Sequence, residues 1–436
     1  MAKAKTVFLN QQEMDLIHAQ SIKSLQEIGI KVCSKPILEI LEKNGASVDY
    51  KTMVAKIPEK MVNKALESAP KEFTLCARDP KRDLKVPTRT YPWMTTSGLA
   101  IFVSDYETGE YRDSTRKDIA AFARLGDAVD SADFLWTALT AKDVTPLAHG
   151  PHELWVTMQN TTKHVQSVTA QSAEDARVQI ELAALIAGGK EELRKRPLFS
   201  VVVCPIAPLT YEKGSIEAQV EFAKAGIPVV SMSMSNGGVS SPLPVAGMLV
   251  NVNTENLGSL LISQMAAPGA PHIYCSESGP MDMRTGSINY NSVEKVFLSI
   301  GLAQMAKRYN LPSLVADCGW GDYTEACVSG VLTPATQIIG LMSGSDLATG
   351  LGSIDSAKGI SFEQFIVDSY MWDCCKNYLH EVEISEEKIG LDAVKEVGHG
   401  HNFLTHPHTL RYLRGELAFW DRKKLDFLEM DNKEMH

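Results

Sequence analysis

Residues 93–382 alternate short apolar, β-prone runs with runs of helical spacing, and no other feature constrains the fold as tightly. The clearest unit lies at 271–322. His272-Ile-Tyr-Cys-Ser-Glu277 reads as a strand, and Ser278-Gly279-Pro280 breaks it, because proline has no N–H to give to a ladder. Val293, Val296, Phe297, Ile300, Leu302 and Met305 then recur at helical spacing until Leu311-Pro312 stops them, and 313–317 reads as the next strand. A strand, a covering helix and another strand make the parallel crossover unit.

The same rhythm predicts strands over 93–97, 134–141, 164–170, 198–204, 229–234, 272–277, 313–317 and 347–350. Helices are predicted from the capping box Thr115-Arg-Lys-Asp118 onward, then over 153–160, 172–188, 214–225, 253–265, 292–309, 326–342 and 362–382. Eight strands, each followed by a helix within about 290 residues, predict an α/β protein of the (β/α)8 TIM-barrel type. A doubly wound open sheet is the alternative, but its Gly-rich fingerprint is missing. Residues 1–90 read as an N-terminal, mainly helical cap with short strands, 91–382 as the barrel, and 383–436 as a helical tail.

The chain has 436 residues, 44% of them hydrophobic, enough for a large core. Its formal net charge is −10 and it has no basic tract, so nucleic acid and anionic membrane are poor partners. No apolar run reaches the ~18 residues a membrane span needs, and no apolar signal core follows Met1. A cytoplasmic location is expected. The eight cysteines are scattered without a CxxC pair, which suits buried apolar residues of a reduced compartment. No bound metal is expected. His272 and Cys275 point to opposite faces of their strand, Cys275 and Cys318 lack a third ligand, and the histidines at 399, 401, 406 and 408 sit in a Gly- and Pro-containing loop.

In a barrel the residues ending each strand converge on one face. That set includes Gln171, Asn236, Glu277, Asp317 and Trp320, with Tyr106, Tyr290 and Tyr323 on adjoining loops. Carboxylates beside aromatic faces suit a cation, above all a quaternary ammonium, which donates no hydrogen bond. Trp320 and Tyr323 serve equally well as apolar plugs of the barrel mouth, and both readings stay open.

Leu25-Gln-Glu-Ile-Gly-Ile30, Ile57-Pro58 and Phe403-Leu-Thr-His-Pro-His-Thr409 running into Arg411 and Arg414 carry a resemblance. The chain resembles the trimethylamine methyltransferase family, in its form without pyrrolysine, over nearly its whole length. The resemblance implies a (β/α)8 barrel that takes a methyl group from an amine and passes it to the Co(I) corrinoid (cobalamin) of a separate corrinoid protein. Family members without pyrrolysine act on quaternary amines such as glycine betaine, proline betaine, carnitine or γ-butyrobetaine. On this reading Glu277 and Asp317 are the catalytic acids that balance the ammonium, and Tyr106, Trp320 and Tyr323 supply the aromatic cage. Gln171, Asn236, His399, His401 and Arg284 are the remaining candidates for substrate binding, the last four for its carboxylate. Arg284 can instead pair with Asp282 or Asp322 at the surface. The corrinoid protein is expected to dock over the loops of Tyr106, Asn236, 278–280 and Trp320, and the chain to form a homo-oligomer. A metal-assisted lyase or hydrolase and a non-catalytic betaine-binding protein remain as alternatives.

Overall fold

A computed structural model describes residues 4–168, 170–288, 290, 292–315, 326–379, 381–413 and 415, with the backbone alone at 287 and 326–333. Eight parallel strands form its centre: β1 (Trp93–Thr96), β2 (Leu135–Trp136), β3 (Val165–Ser167), β4 (Phe199–Val203), β5 (Val229–Ser233), β6 (His272–Ser276), β7 (Ser313–Val315) and β8 (Leu347–Leu351). Each hydrogen-bonds its sequence neighbour, β8 returns to β1, and a parallel bridge between Thr95 and Phe134 closes β1 onto β2. The ring is the (β/α)8 barrel that the alternation predicts. The covering helices are α1 (Arg116–Ala128), α2 (His149–Asn160), α3 (Ala173–Ala187), α4 (Lys213–Ala225), α5 (Val245–Ala266), α6 (Val293–Arg308), α7 (Ala326–Ser343) and α8 (Phe362–Lys376).

Local chemistry sets the helix ends. Thr115 and Asp118 close a capping box at the start of α1. The side chains of Ser172, Ser292 and Ser361 accept the backbone N–H three residues on, at the starts of α3, α6 and α8. Gly188 and Gly226 end α3 and α4 in the left-handed conformation. Several elements differ in extent from the sequence expectation, two of them for a visible reason. The strand predicted over 134–141 is regular only at Leu135–Trp136, because Leu139 pairs with Ala100 in the loop that follows β1. Helix α5 begins at Val245, ahead of the predicted 253, and is buried almost all round from Val252 to Met265. Such a helix has no polar stripe to give it a readable period.

The helices Gln11–Glu27, Lys35–Lys43 and Glu59–Ser68 lay their apolar faces on α5 and α6 in one continuous cluster. The hairpin of Phe73–Leu75 with Leu84–Val86 puts Leu75, Leu84 and Val86 into the barrel interior, against Phe134, Val230, Ile273 and Leu347. Its bonds go to the starts of strands: Trp93 Nε1 donates to Lys85 O at 2.9 Å, and His164 Nδ1 meets Cys76 O at 2.9 Å. The amino end of the barrel is therefore plugged, and the carboxyl end is the way in. Among the described residues no helix is long and apolar enough to cross a membrane.

Candidate functional site

Two small sheets rise from the loops at the carboxyl end. On one side, Asn236–Gly237 after β5 pairs with Gly279–Asp282 after β6, which pairs back with Ser287–Ile288. On the other, the hairpin Phe102–Ser104 with Tyr111–Asp113 after β1 joins the hairpin Ser353–Ile354 with Gly359–Ile360 after β8. Between them the rim carries exposed apolar side chains from several loops, Leu99, Ile101, Ile206, Met234, Val239 and Met283.

Inside the rim, β6 sets the register. Ile273 and Cys275 face the interior, whereas Tyr274 packs outward among α5 and α6. Glu277, two residues past Cys275, continues the inward row, and its N–H donates to Ser233 O at 2.9 Å. Lys295, in the first turn of α6, brings Nζ to 3.7 Å from Glu277 Oε2 with both side chains almost fully buried, 2% and 3% exposed. The same ammonium stands 5.6 Å from the centre of the Tyr290 ring, within cation–π range. Tyr290 itself packs on the interior cluster, where burial first and Glu277 second push its phenol pKa up. Burying two charges costs several kcal/mol each, roughly, unless they compensate one another, and here they do.

Below the β5 loop lies a second acid that the sequence reading passed over. Glu255 of α5 is fully buried and accepts hydrogen bonds from Leu209 N–H at 2.9 Å, Asn251 Nδ2 at 3.1 Å, Ser235 Oγ at 3.2 Å and Ser233 Oγ. Burial raises its pKa and these donors pull against the rise. It pins the loop that carries Asn236.

Across the barrel, on β1 to β3, several inward side chains are neutral and polar, set among apolar ones such as Phe134 and Val168. Gln166 of β3 is registered with Trp136 of β2, and both are buried facing the interior. Among the described residues neither amide atom of Gln166, nor Trp136 Nε1, Ser97 Oγ or Thr95 Oγ1, has a hydrogen-bond partner. Gly98 lets the indole close over the backbone, since a Cβ there would lie 2.3 Å from Trp136 Cε2.

The candidates read from sequence distribute as follows. Glu277 is buried just past the carboxyl end of β6, paired with Lys295. Asn236 is half-buried on the small β5–β6 sheet, and its N–H donates to Ser240 Oγ at 2.9 Å. Tyr106 stands at the tip of the β1 hairpin, 69% exposed, its hydroxyl donating to Glu107 at 3.2 Å. Gln171 is exposed after β3, its N–H on Asp175. Arg284 is 91% exposed and pairs with Asp282 at 3.5 Å, the surface pairing weighed above. His399 and His401 are exposed in the tail, whose neighbouring histidines bond within it, His406 to Glu396 and His408 to Glu387 O. Asp317, Trp320 and Tyr323 lie outside the described residues, and Val315, the last described residue of β7, pairs with Ser276 next to Glu277. Among the described residues no three His, Cys, Asp or Glu side chains gather as a metal would require.

A family model described as trimethylamine methyltransferase (MTTB) matches residues 2–432. Over 405 residues the chain is 34% identical to a trimethylamine methyltransferase MttB of Desulfitobacterium hafniense (strain DSM 10664 / DCB-2), covering 92% of this chain and 81% of that one. A trimethylamine methyltransferase MttB of Methanosarcina barkeri (strain Fusaro / DSM 804) is 32% identical over 90% of this chain and 80% of its own. A glycine betaine methyltransferase of Desulfitobacterium hafniense (strain Y51) is 28% identical over 92% of this chain and 83% of its own. Among solved structures, the monomethylamine methyltransferase MtmB of Methanosarcina barkeri superposes with a TM-score of 0.55 over 85% of this chain and 80% of that chain; at 13% identity this shows a shared fold.

Proposed function

The chain belongs to the trimethylamine methyltransferase family, and we propose that within it this enzyme takes a methyl group from a quaternary amine, glycine betaine or a related betaine, and passes it to the reduced corrinoid of a separate protein. The observation that carries the reading is the mouth itself. A buried carboxylate (Glu277), paired with Lys295, and the Tyr290 ring beside it lie at the end of the barrel opposite the plugged one. An ammonium that already bears four carbon substituents leaves as a neutral amine once a methyl is taken, so the chain needs no acid to protonate it. Its own work is to desolvate the cation, hold it on charge and aromatic faces worth ~0.5–2 kcal/mol each, and present one methyl outward. The corrinoid, when docked, supplies the nucleophile.

The rim fits a bulky partner of that kind. Exposed apolar residues stand on the loops after β1, β4, β5 and β6, and the small β5–β6 and β1–β8 sheets stand on either side. A shuttle has to leave after each transfer, so we place the corrinoid protein on this rim in a modest interface, roughly 1,200–2,000 Å² or less. Reduced corrinoid survives only in a reducing compartment, which supports a cytoplasmic reaction.

The test is a panel of quaternary and tertiary amines incubated with the purified enzyme and reduced cobalamin, following the loss of one methyl per substrate by mass spectrometry. Demethylation of a betaine is expected. Demethylation of trimethylamine with every quaternary amine untouched would overturn the choice of substrate.

A further inference from the structure

The wall of β1, β2 and β3 presents buried polar atoms that have no hydrogen-bond partner among the described residues. Gln166 is fully buried at the centre of β3 and neither atom of its amide has a partner among the described residues. Among the same residues its registered neighbour Trp136 holds an unpaired indole N–H, and on the other side of Trp136 the Oγ atoms of Thr95 and Ser97 on β1 are unpaired as well. An amide, an indole N–H or a hydroxyl buried without a partner is destabilising, and folded proteins seldom keep several together unless something fills them. All four side chains alternate in register with residues of the interior cluster and so face the barrel axis. In a ring of eight strands, β2 lies opposite β6, the strand that carries Glu277.

We infer that Ser97, Trp136 and Gln166 form a donor set for the carboxylate of the substrate, so that the enzyme selects carboxylated, zwitterionic quaternary amines over simple cations. The inference rests on the functional reading above and narrows it. A betaine brings a cation and an anion at opposite ends, and the barrel offers a matching polarity across its width. Glu277 and Tyr290 face the ammonium from one side, and neutral N–H and O–H donors face the carboxylate from the other. Lys295 already balances Glu277, so this pair brings no net charge to the mouth, which suits a ligand without net charge. Fixed neutral donors in a water-poor pocket bind an anion well because they need no reorganisation. This assignment replaces Arg284, His399 and His401, which are exposed, as the groups that meet the carboxylate.

The experiment is calorimetric binding of glycine betaine and of choline, which lacks the carboxylate, to the full chain and to Gln166→Leu, with the melting temperature of each protein measured alongside. Wild type should prefer glycine betaine. Q166L should bind it about tenfold or more weakly, bring the betaine-to-choline ratio near one, and melt no lower than wild type, since an unpaired amide has been replaced by an apolar group of similar size. An unchanged ratio in Q166L would mean that the donors hold ordered water only and overturns the assignment. A wild type that is folded yet binds neither ligand overturns both the assignment and the quaternary-amine reading. If Q166L does not fold, Trp136→Phe decides by the same ratio, because it removes the indole N–H and keeps the ring.

Discussion

Ser278 Oγ accepts the Ser235 N–H at 2.8 Å, tying the loop after β6 to the loop after β5 directly beside Glu277. The same hydroxyl donates to Ser233 O at 3.2 Å, and Ser276 Oγ donates to it at 2.8 Å. A cluster of small hydroxyls thus fixes the one acid at the mouth that the described residues place on the barrel axis.

Ser278→Ala should therefore weaken the site more than its size suggests. It leaves the buried Ser235 N–H without an acceptor, a loss of about 1–3 kcal/mol. Urea unfolding should show that loss, and substrate affinity should fall with it as Glu277 loses its fixed position. A variant with wild-type stability and affinity would show that the backbone ladder alone holds the loop.

Gly98→Ala tests the close approach of the indole to the backbone. The added methyl would lie 2.3–2.5 Å from three atoms of the Trp136 ring system, and a buried ring cannot swing away like the end of a flexible side chain. The expected cost is about 1–3 kcal/mol by overpacking, with a change in Trp136 fluorescence. Unchanged stability and emission would mean that the wall around β1 and β2 yields easily.

Much of this was readable before any coordinates, for physical reasons. The barrel was legible because several of its strands, buried on both faces, are near-continuous apolar runs, and most of the eight are followed by a Gly or Pro signal. Glu277 was legible because a charge ending such a run has to face the mouth. Lys295 was missed because it sits among apolar residues of α6, yet its spacing to Leu298, Ser299 and Leu302 puts it on the buried face, and a lysine in register with that face is the signal that could have found it. Gln166 and Trp136 were read as strand interior. The clue was His164 and Gln166, large polar side chains at alternate positions of the strand, a period of two aimed at the axis. Glu255 could not be read at all, since α5 has no exposed face to define its inside.

Asp368 gives the protein a predictable dependence on pH. Buried in α8, its carboxylate accepts the Gly352 N–H at 2.9 Å and Gln364 Nε2 at 2.7 Å. Burial nevertheless outweighs those donors and raises its pKa from the ordinary 3.8 to about 7. A carboxyl with a raised native pKa stabilises fully below its ordinary value, and that contribution is lost as pH climbs through about 7, because the native state holds the proton longer than the unfolded one. Unfolding free energy should therefore fall by about 2 kcal/mol between pH 5.5 and 8 on account of this group. Asp368→Asn should lack that part of the slope, leaving what Asp133 and Glu153, raised by burial to about 7 and about 8, contribute. Equal slopes in wild type and D368N, from urea titrations at the two pH values, would show that Asp368 is ionised throughout.

The two tyrosines of the mouth should separate substrate binding from partner docking. Tyr290 packs on the barrel interior beside Lys295 and Glu277, whereas Tyr106 stands exposed at the tip of the β1 hairpin. A desolvated aromatic face contributes ~0.5–2 kcal/mol to a cation, so Tyr290→Ala should weaken quaternary-amine binding by roughly 2- to 30-fold, and Tyr290→Phe, which keeps the face, by much less. An exposed ring has little to offer a small ligand inside the barrel but much to offer a protein surface set upon it. Tyr106→Ala should then leave binding of the amine nearly unchanged, and leave transfer to free cobalamin unchanged, while slowing transfer to the protein-bound corrinoid. If instead Tyr106→Ala weakens amine binding as strongly as Tyr290→Ala, the β1 hairpin folds over the substrate and belongs to the cage after all.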